Sequence, residues 1–546
     1  MQKTFYIFII LFFTVLSSLK AQRISKVEYA QRAYDNKNWT EAIIFYSEIV
    51  KKNPYKGAYF YKLANSYFNN KDYDKAINYF KKSCEIGFNY GLSIKKIAIS
   101  YATLKDHKNA LIWIRKGLDT PKSLTITDVL SNSVFKEHRK TNEFKNSYSK
   151  KVSRKEKWIS DIQFLKDRFE SKHYNIFDKI SSKEWEIEFN ALISSINVKN
   201  DYEILVDLMK ITAKIGDGHT FIRPPFSGQL KLHIYPFKLF VFEEGIFVVQ
   251  TSKDYDKVLG KQLTHINNIP IEEVVKKVSK TISVDNKIGL LERLDFNLML
   301  SEVLEVLKIT NSSQQTLFTF KDQKEKSITL KVDAISFNPA TLTEVLKPVN
   351  QKSPLYLLQP KRFFWSKYIK GLNAMYIKIN INLSTPNHNI REFYNEVFDT
   401  ISKENINHLI IDLRHCPGGN SFNNKSLINN ILKNNTIDKE NGIFTIIGRR
   451  TFSAAMNLST DLETWTNTKF IGEPTGSKPN FIGETNFIVL PNSKLQVSIS
   501  DAYWQKSTSW DKRKWIAPDF YVTTSFRDFM LGNDNVLETI KSIINR

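Results

Sequence analysis

Four short segments of this 546-residue chain hold residue types that can act together chemically. In Gly448-Arg449-Arg450-Thr451-Phe452-Ser453-Ala454-Ala455-Met456-Asn457 a serine follows an apolar run and precedes small, helix-forming residues. At a strand-to-helix turn a serine is exposed as a nucleophile, and the amides beside it can support an oxyanion. Leu409-Ile410-Ile411-Asp412-Leu413 is a continuous apolar strand of the parallel-sheet kind, ending in Arg414-His415-Cys416-Pro417-Gly418-Gly419-Asn420. Glycines at the carboxyl end of such a strand leave bare backbone N–H groups where a ligand sits. Phe470–Lys478 repeats the pattern of strand and glycine loop, and puts Lys478 25 residues after Ser453. Gly216-Asp217-Gly218-His219-Thr220 ends a helical run and presents one histidine at a glycine-flanked turn, where substrate can approach closely. Alone, such a histidine is more often structural.

The elements that must position these segments follow from periodicity. Residues 158–228 read as helical, with apolar spacing at Trp158, Ile162, Leu165 and Phe169 and a second run from Tyr202 to Ile215. From 229 to 345 the pattern turns to β-type alternation (Leu230, Leu232, Ile234; Phe237, Leu239, Val241). The stretch Leu259–Pro270 followed by an Ile271–Val278 helix is similar to part of a PDZ domain, so a small β-rich domain is expected there. The α/β core is expected over 365–546. Upstream, residues 24–150 hold a period of 34: Ala30, Ala64 and Ala98; Ala42, Ala76 and Ala110; Lys37, Lys71 and Lys105; Tyr46, Phe80 and Ile114. Small alanines let paired helices approach and the larger side chains fill the groove between hairpins, so this array resembles tetratricopeptide repeats. It serves either as a binding surface for a protein partner or substrate, or as a helical spacer.

Composition sets limits rather than an activity. Lys+Arg number 79 against 56 Asp+Glu, a net +23, with 42% hydrophobic residues. That is ordinary for folded protein and excludes wholesale disorder or a multispan membrane protein. No zinc-finger or helix-turn-helix pattern turns the charge towards nucleic acid. Weak attraction to an acidic envelope surface is the expectation instead. The basic cluster Lys150, Lys151, Arg154, Lys155 and Lys157 reads as a solvated linker. Residues 1–21 have the anatomy of a signal peptide: Lys3, an apolar run from Phe5 to Leu16, and small residues up to Ala21. The protein is therefore expected to be exported: periplasmic, envelope-associated or secreted. Two cysteines, Cys84 and Cys416, cannot make a disulfide scaffold, and no HExxH marks a metal site, so no cofactor is expected.

Taken in order, GDGHT (216–220), LIIDLRHCPGG (409–419), GRRTFSAAMN (448–457) and GEPTGSK (472–478) resemble the tail-specific, or carboxy-terminal processing, protease family of serine peptidases. The resemblance spans 158–535 and implies a Clp-protease/crotonase-like α/β core with an inserted β domain, the whole chain being multidomain α plus α/β. It implies Ser453 as nucleophile and amides around Gly418, Gly419 and Ala454 as the oxyanion hole. It leaves two bases open. In the processing-protease branch a lysine at the position of Lys478 is the base, although the glutamine usual four residues on is here Ile482. In the tricorn-core branch a histidine placed like His219 serves the serine, and a later acid, Asp511 or Glu484, orients the machinery. The expected function is an exported serine-type endopeptidase acting on protein or peptide substrates; the alternative is a noncatalytic binding or scaffold protein on the same core.

Overall fold

The 34-residue period has a direct structural cause. In a computed structural model, which describes residues 25–118, 120, 123–141, 153–349 and 353–546, helices run Lys26–Asp35, Trp39–Lys52, Gly57–Asn69, Tyr73–Glu85, Tyr90–Thr103 and His107–Leu118. The leader lies outside the described residues, as do Lys150 and Lys151. Ala30, Ala42, Ala64, Ala76, Ala98 and Ala110 are all fully buried, as are Tyr46 and Phe80. The recurring lysines have a backbone reason. Lys37, Lys71 and Lys105 sit at φ 57°, 63° and 60°, the left-handed residue that ends the first helix of each hairpin. Asn38, Asp72 and Asp106 follow, and each accepts the amide three residues on to start the second helix.

Contacts divide the chain into two units, Met1–Val152 and Ser153–Arg546. The second begins within the basic cluster, which is not wholly a linker. Arg154 opens the helix Arg154–Lys172, pairs with Asp201 at 2.7 Å and donates to the Ile196 and Lys199 carbonyls. Two more helices, Ser182–Ser195 and Asp201–Ala213, pack against it around Trp185, Phe169 and Phe189. A sheet drawn from Phe237–Phe242, Gly245–Thr251, Gln262–Ile266, Ile269–Pro270, Gln315–Lys321, Ser327–Asp333 and Glu344–Val345 encloses its own core. Within it, Asn267 and Asn268 (φ 50° and 67°) turn a hairpin that leads straight into the helix Ile271–Val278. Among the described residues no helix is long and apolar enough to cross a membrane.

The core that carries the site is a six-stranded sheet ordered Phe364–Ile369, Ala374–Ile379, His408–Asp412, Ile443–Ile447, Thr468–Gly472 and Phe520–Tyr521. The first pair is antiparallel and the rest are parallel. Both faces of the central strands are covered, which is why His408–Asp412 and Ile443–Ile447 are mostly apolar and buried. Leu409 and Ile411 pack with helices Ile390–Lys403, Asn424–Leu432 and Ala454–Trp465, while Ile410 and Phe444 meet the helix Asn535–Ile544. The chain is thus a helical repeat region followed by a mixed α/β region.

A buried charge cluster ties the last helix to this sheet. Asp412 accepts from Lys378 Nζ at 2.9 Å, from Tyr376 and from Arg414, whose guanidinium makes a two-pronged pair with Asp534. Arg414 and Lys378 beside Asp412 overcome its burial and hold its carboxyl far below the usual range. Asp534 also accepts the Leu537 amide at the start of the terminal helix. Asp534→Ala therefore leaves the Arg414 charge buried with half its partners and uncaps that helix. A loss of about 3 kcal/mol is expected, read as a lower midpoint in urea denaturation.

Candidate active site

Strand Ile443–Ile447 leads to the candidate nucleophile, Ser453. After it, Thr451 Oγ1 donates to the Leu413 carbonyl at 3.0 Å and accepts from the Gly448 amide, and the Phe452 amide reaches the Cys416 carbonyl at 3.3 Å. These bonds lock the serine turn onto the loop that follows strand His408–Asp412. Ser453 then takes φ 55°, ψ −124°, a conformation sparsely populated by residues with a Cβ, directly before the helix Ala454–Trp465. Its hydroxyl makes no hydrogen bond to the helix it precedes, so it does not act as a helix cap.

The glycine loop lies against that serine. Gly418 has φ 121°, and a Cβ built there would fall 2.6 Å from Ser453 Cβ and 3.0 Å from the Ala454 nitrogen. Any side chain would drive the two loops apart. Gly418 lends its carbonyl to the Asn382 amide at 2.8 Å, and the Asn420 amide returns to the Asn382 carbonyl at 2.8 Å. Buried Asn382 bonds to Asn424 Oδ1, and Asn424 Nδ2 donates to the Ala454 carbonyl at 3.1 Å. The Gly419 and Ala454 amides have no backbone or side-chain acceptor among the described residues. Two free donors, one on the glycine loop and one at a helix N-terminus, suit a developing negative charge. Cys416, beneath the loop, is buried, and burial pushes its thiol up to about 11, so it stays neutral.

His219 reaches the same place from a distant part of the chain. Phe221–Ile222 pairs with strand Gln496–Gln505, which pairs with strand Asn480–Val489. Ser498 Oγ donates to the His219 carbonyl at 2.6 Å. The imidazole is sandwiched between Phe452, at 4.4 Å between ring centres, and Phe481, at 5.4 Å. It is 6% exposed, and neither ring nitrogen has a hydrogen-bond partner. A buried polar group without a partner costs stability. Asp217 Oδ1 accepts the His219 amide at 2.7 Å and lies 3.9 Å from Nδ1, while its Oδ2 is 3.2 Å from His173 Nε2. Burial lowers the His219 pKa against the opposing pull of Asp217 and Asp285, so the ring is neutral at pH 7.

Of the other expected participants, Asp511 and Glu484 fall elsewhere. No hydrogen bond or ion pair joins Lys478 to Ser453 or to His219. Asp511 is committed to Arg513, which holds its carboxyl down at about 2, and Arg513 in turn grips Glu463. Glu484 is exposed, at φ 68° in strand Asn480–Val489, and acts on His219 only weakly through space. The acid beside the histidine is Asp217, not Asp511, because a side chain two residues ahead of a turn folds back onto it. Asp217 stood inside the GDGHT motif as the available signal. Asp285, Arg293, Asn382 and Asn424 carry none in the sequence.

A cleft of about 380 Å³ adjoins the serine turn, lined by Asp285, Glu292, Arg293, Pro417, Arg450 and Phe452 among others. Glu292 lies 3.3 Å from Arg450, and burial pushes its carboxyl up to about 7.

Parts of the chain match known protein families. Residues 373–522 match Peptidase family S41, and residues 57–90 match Tetratricopeptide repeat. A search of curated proteins found no match. Mature CPAF, solved in complex with lactacystin, is similar in fold: TM-score 0.51 at 11% identity, over 72% of this chain and 98% of that one. A mutant of CPAF gives TM-score 0.52 at 12% identity over the same shares, 72% and 98%. The photosystem II D1 C-terminal processing protease matches more loosely, with TM-score 0.34 at 12% identity over 69% of this chain and 98% of that one. The S41 match covers the strands from Ala374–Ile379 to Phe520–Tyr521, the glycine loop and Ser453, so the chain carries a serine-peptidase core similar to family S41, preceded by tetratricopeptide repeats.

Proposed function

We propose that the protein is an exported endopeptidase that cleaves peptide bonds in protein substrates with Ser453 as nucleophile and His219 as general base. The observation that carries this reading is the neutral, buried, unpartnered imidazole stacked on Phe452, next to a serine in a strained turn. The ring nitrogen away from Asp217 takes the Ser453 proton as Oγ attacks the carbonyl carbon. The resulting oxyanion is held by the Gly419 and Ala454 amides, with Gly418 giving the close approach; each such donor contributes about 2.7–4 kcal/mol. The imidazolium then protonates the leaving amine, and water resolves the acyl-enzyme by the same route in reverse. Asp217 steadies the imidazolium as it forms. The repeats hold the substrate or a protein partner, and residues 1–21 direct export.

A pH profile tests this. A base works in its neutral form, so the rate climbs as pH rises through its pKa. Because the His219 pKa is lowered, the acid limb of casein cleavage is expected to have its midpoint below the ordinary histidine value of about 6.5, with a plateau at neutral pH. A rate that stays near zero at pH 7 and climbs only in the alkaline range would count against His219.

A further inference from the structure

The Gly218 peptide, which carries His219, is gripped at both ends by one distant segment. Asp285 Oδ1 accepts the Gly218 N–H at 2.9 Å, and Arg293 Nη2 donates to the Gly218 carbonyl at 2.7 Å. The other Asp285 oxygen accepts the Ser477 hydroxyl, in the loop that leads to Lys478. Arg293 also donates to the Ser283 carbonyl at 2.6 Å, and its guanidinium lies 5.4 Å from the Phe452 ring. Between them, Asn286 Oδ1 caps the helix Lys287–Asn297 while its Nδ2 reaches the Thr475 and Lys514 carbonyls at 3.2 Å and 2.6 Å. Gly289 lies so close to this loop that a Cβ there would fall 2.6 Å from the Gly476 carbonyl. One short segment therefore touches the histidine turn, the 472–478 loop and the residue before the nucleophile.

We propose that Asp285 and Arg293 form a clasp that sets His219 against Ser453, with Asp285 the positioning residue that couples the histidine turn to the 472–478 loop. The clasp rests on the reading of His219 as base. It accounts for an acid and an arginine buried beside a neutral imidazole: the Asp285 charge supports the Arg293 guanidinium, and the two bond to the N–H and the carbonyl of one residue, Gly218. The charged and titratable groups facing the imidazole are Asp217, Asp285, Arg293 and Glu484, with His173 behind Asp217. Of these only Asp285 and Arg293 come from the 283–293 segment, and the Asp285 charge favours the imidazolium.

The test is the fluorophosphonate labelling rate of the full chain as a function of pH. Asp285→Ala loses both bonds and is expected to label about 100-fold more slowly, as a base displaced by about 1 Å would. Asp285→Asn keeps an acceptor for the Gly218 amide. It should label about tenfold faster than Asp285→Ala, and its acid limb should move to lower pH because the charge that favoured the imidazolium has gone. Ser477→Ala, which breaks only the far half of the clasp, is expected to lose about tenfold. Should Asp285→Ala fail to fold, Asp285→Asn and Ser477→Ala decide. Wild-type rates in these variants with an unmoved acid limb would overturn the clasp and leave the peptidase reading standing. An Asp285→Asn as slow as Asp285→Ala, with an unmoved limb, would overturn it too. A wild-type chain that does not label at all would overturn the reading of the site and the clasp with it.

Discussion

Ser453→Ala is expected to lower casein cleavage by on the order of 10⁶-fold while the thermal midpoint stays within a few degrees of wild type. The activity loss follows from removing the one oxygen that can attack. Unchanged stability follows from what that oxygen does in the resting protein: it does not cap the helix Ala454–Trp465. Alanine keeps the Cβ and so keeps the cost of φ 55° at this position. Ser453→Gly separates the two effects further. It is equally inactive, but it relieves a conformation that costs a Cβ-bearing residue about 1–3 kcal/mol, so its midpoint should rise. A serine that only braced the turn would show the opposite pattern, with activity retained and stability lost.

His219→Phe is the second large effect, a fall of about 10⁴-fold or more in cleavage rate. Phenylalanine fills the slot between Phe452 and Phe481 and removes two buried nitrogens that have no partner. Burial of an unsatisfied polar atom costs about 1–3 kcal/mol, so the variant should be at least as stable as wild type. Inactivity joined to unimpaired stability is the signature of a group kept for chemistry. Lys478→Ala, by contrast, is expected to cost less than about tenfold, because in the proposed mechanism His219 and not Lys478 takes the Ser453 proton. If Lys478→Ala matched His219→Phe, the base would be the lysine.

Much of the peptidase core was legible because its strands are buried on both faces. Leu409–Leu413 and Gly442–Ile447 read as unbroken apolar runs, and the strands His408–Asp412 and Ile443–Ile447 lie there within a residue at each end. The asparagine turn between Ile266 and Ile269 and the helix Ile271–Val278 were legible for a local reason, left-handed turn chemistry followed by apolar spacing. The repeats were legible because one packing contact recurs: the six alanines are spaced by 34 and all are buried.

What stayed hidden is what long-range pairing creates. Asp285 and Arg293 lie 67 and 75 residues from Gly218 in sequence, and nothing local in Val284-Asp285-Asn286 marks an acid that will grip a turn. The family resemblance points to an orienting acid late in the chain, Asp511 or Glu484, whereas Asp217 stands two residues ahead of the histidine. Spacing alone did not distinguish an acid folded back onto its own turn from one paired with a neighbouring arginine. Asp511 shows the second outcome, held by Arg513. Asn382 and Asn424, which join the glycine loop to Ala454, carry no local sequence signal, and only the fold buries them.

The central claim is that Ser453 is an activated nucleophile. Mass spectrometry of the full chain after fluorophosphonate treatment at neutral pH tests it most directly. One adduct is expected, on the peptide containing Ser453, absent in Ser453→Ala and strongly slowed in His219→Phe. A well-folded wild-type chain that carries no adduct, or an adduct on another residue that persists in Ser453→Ala, would contradict it.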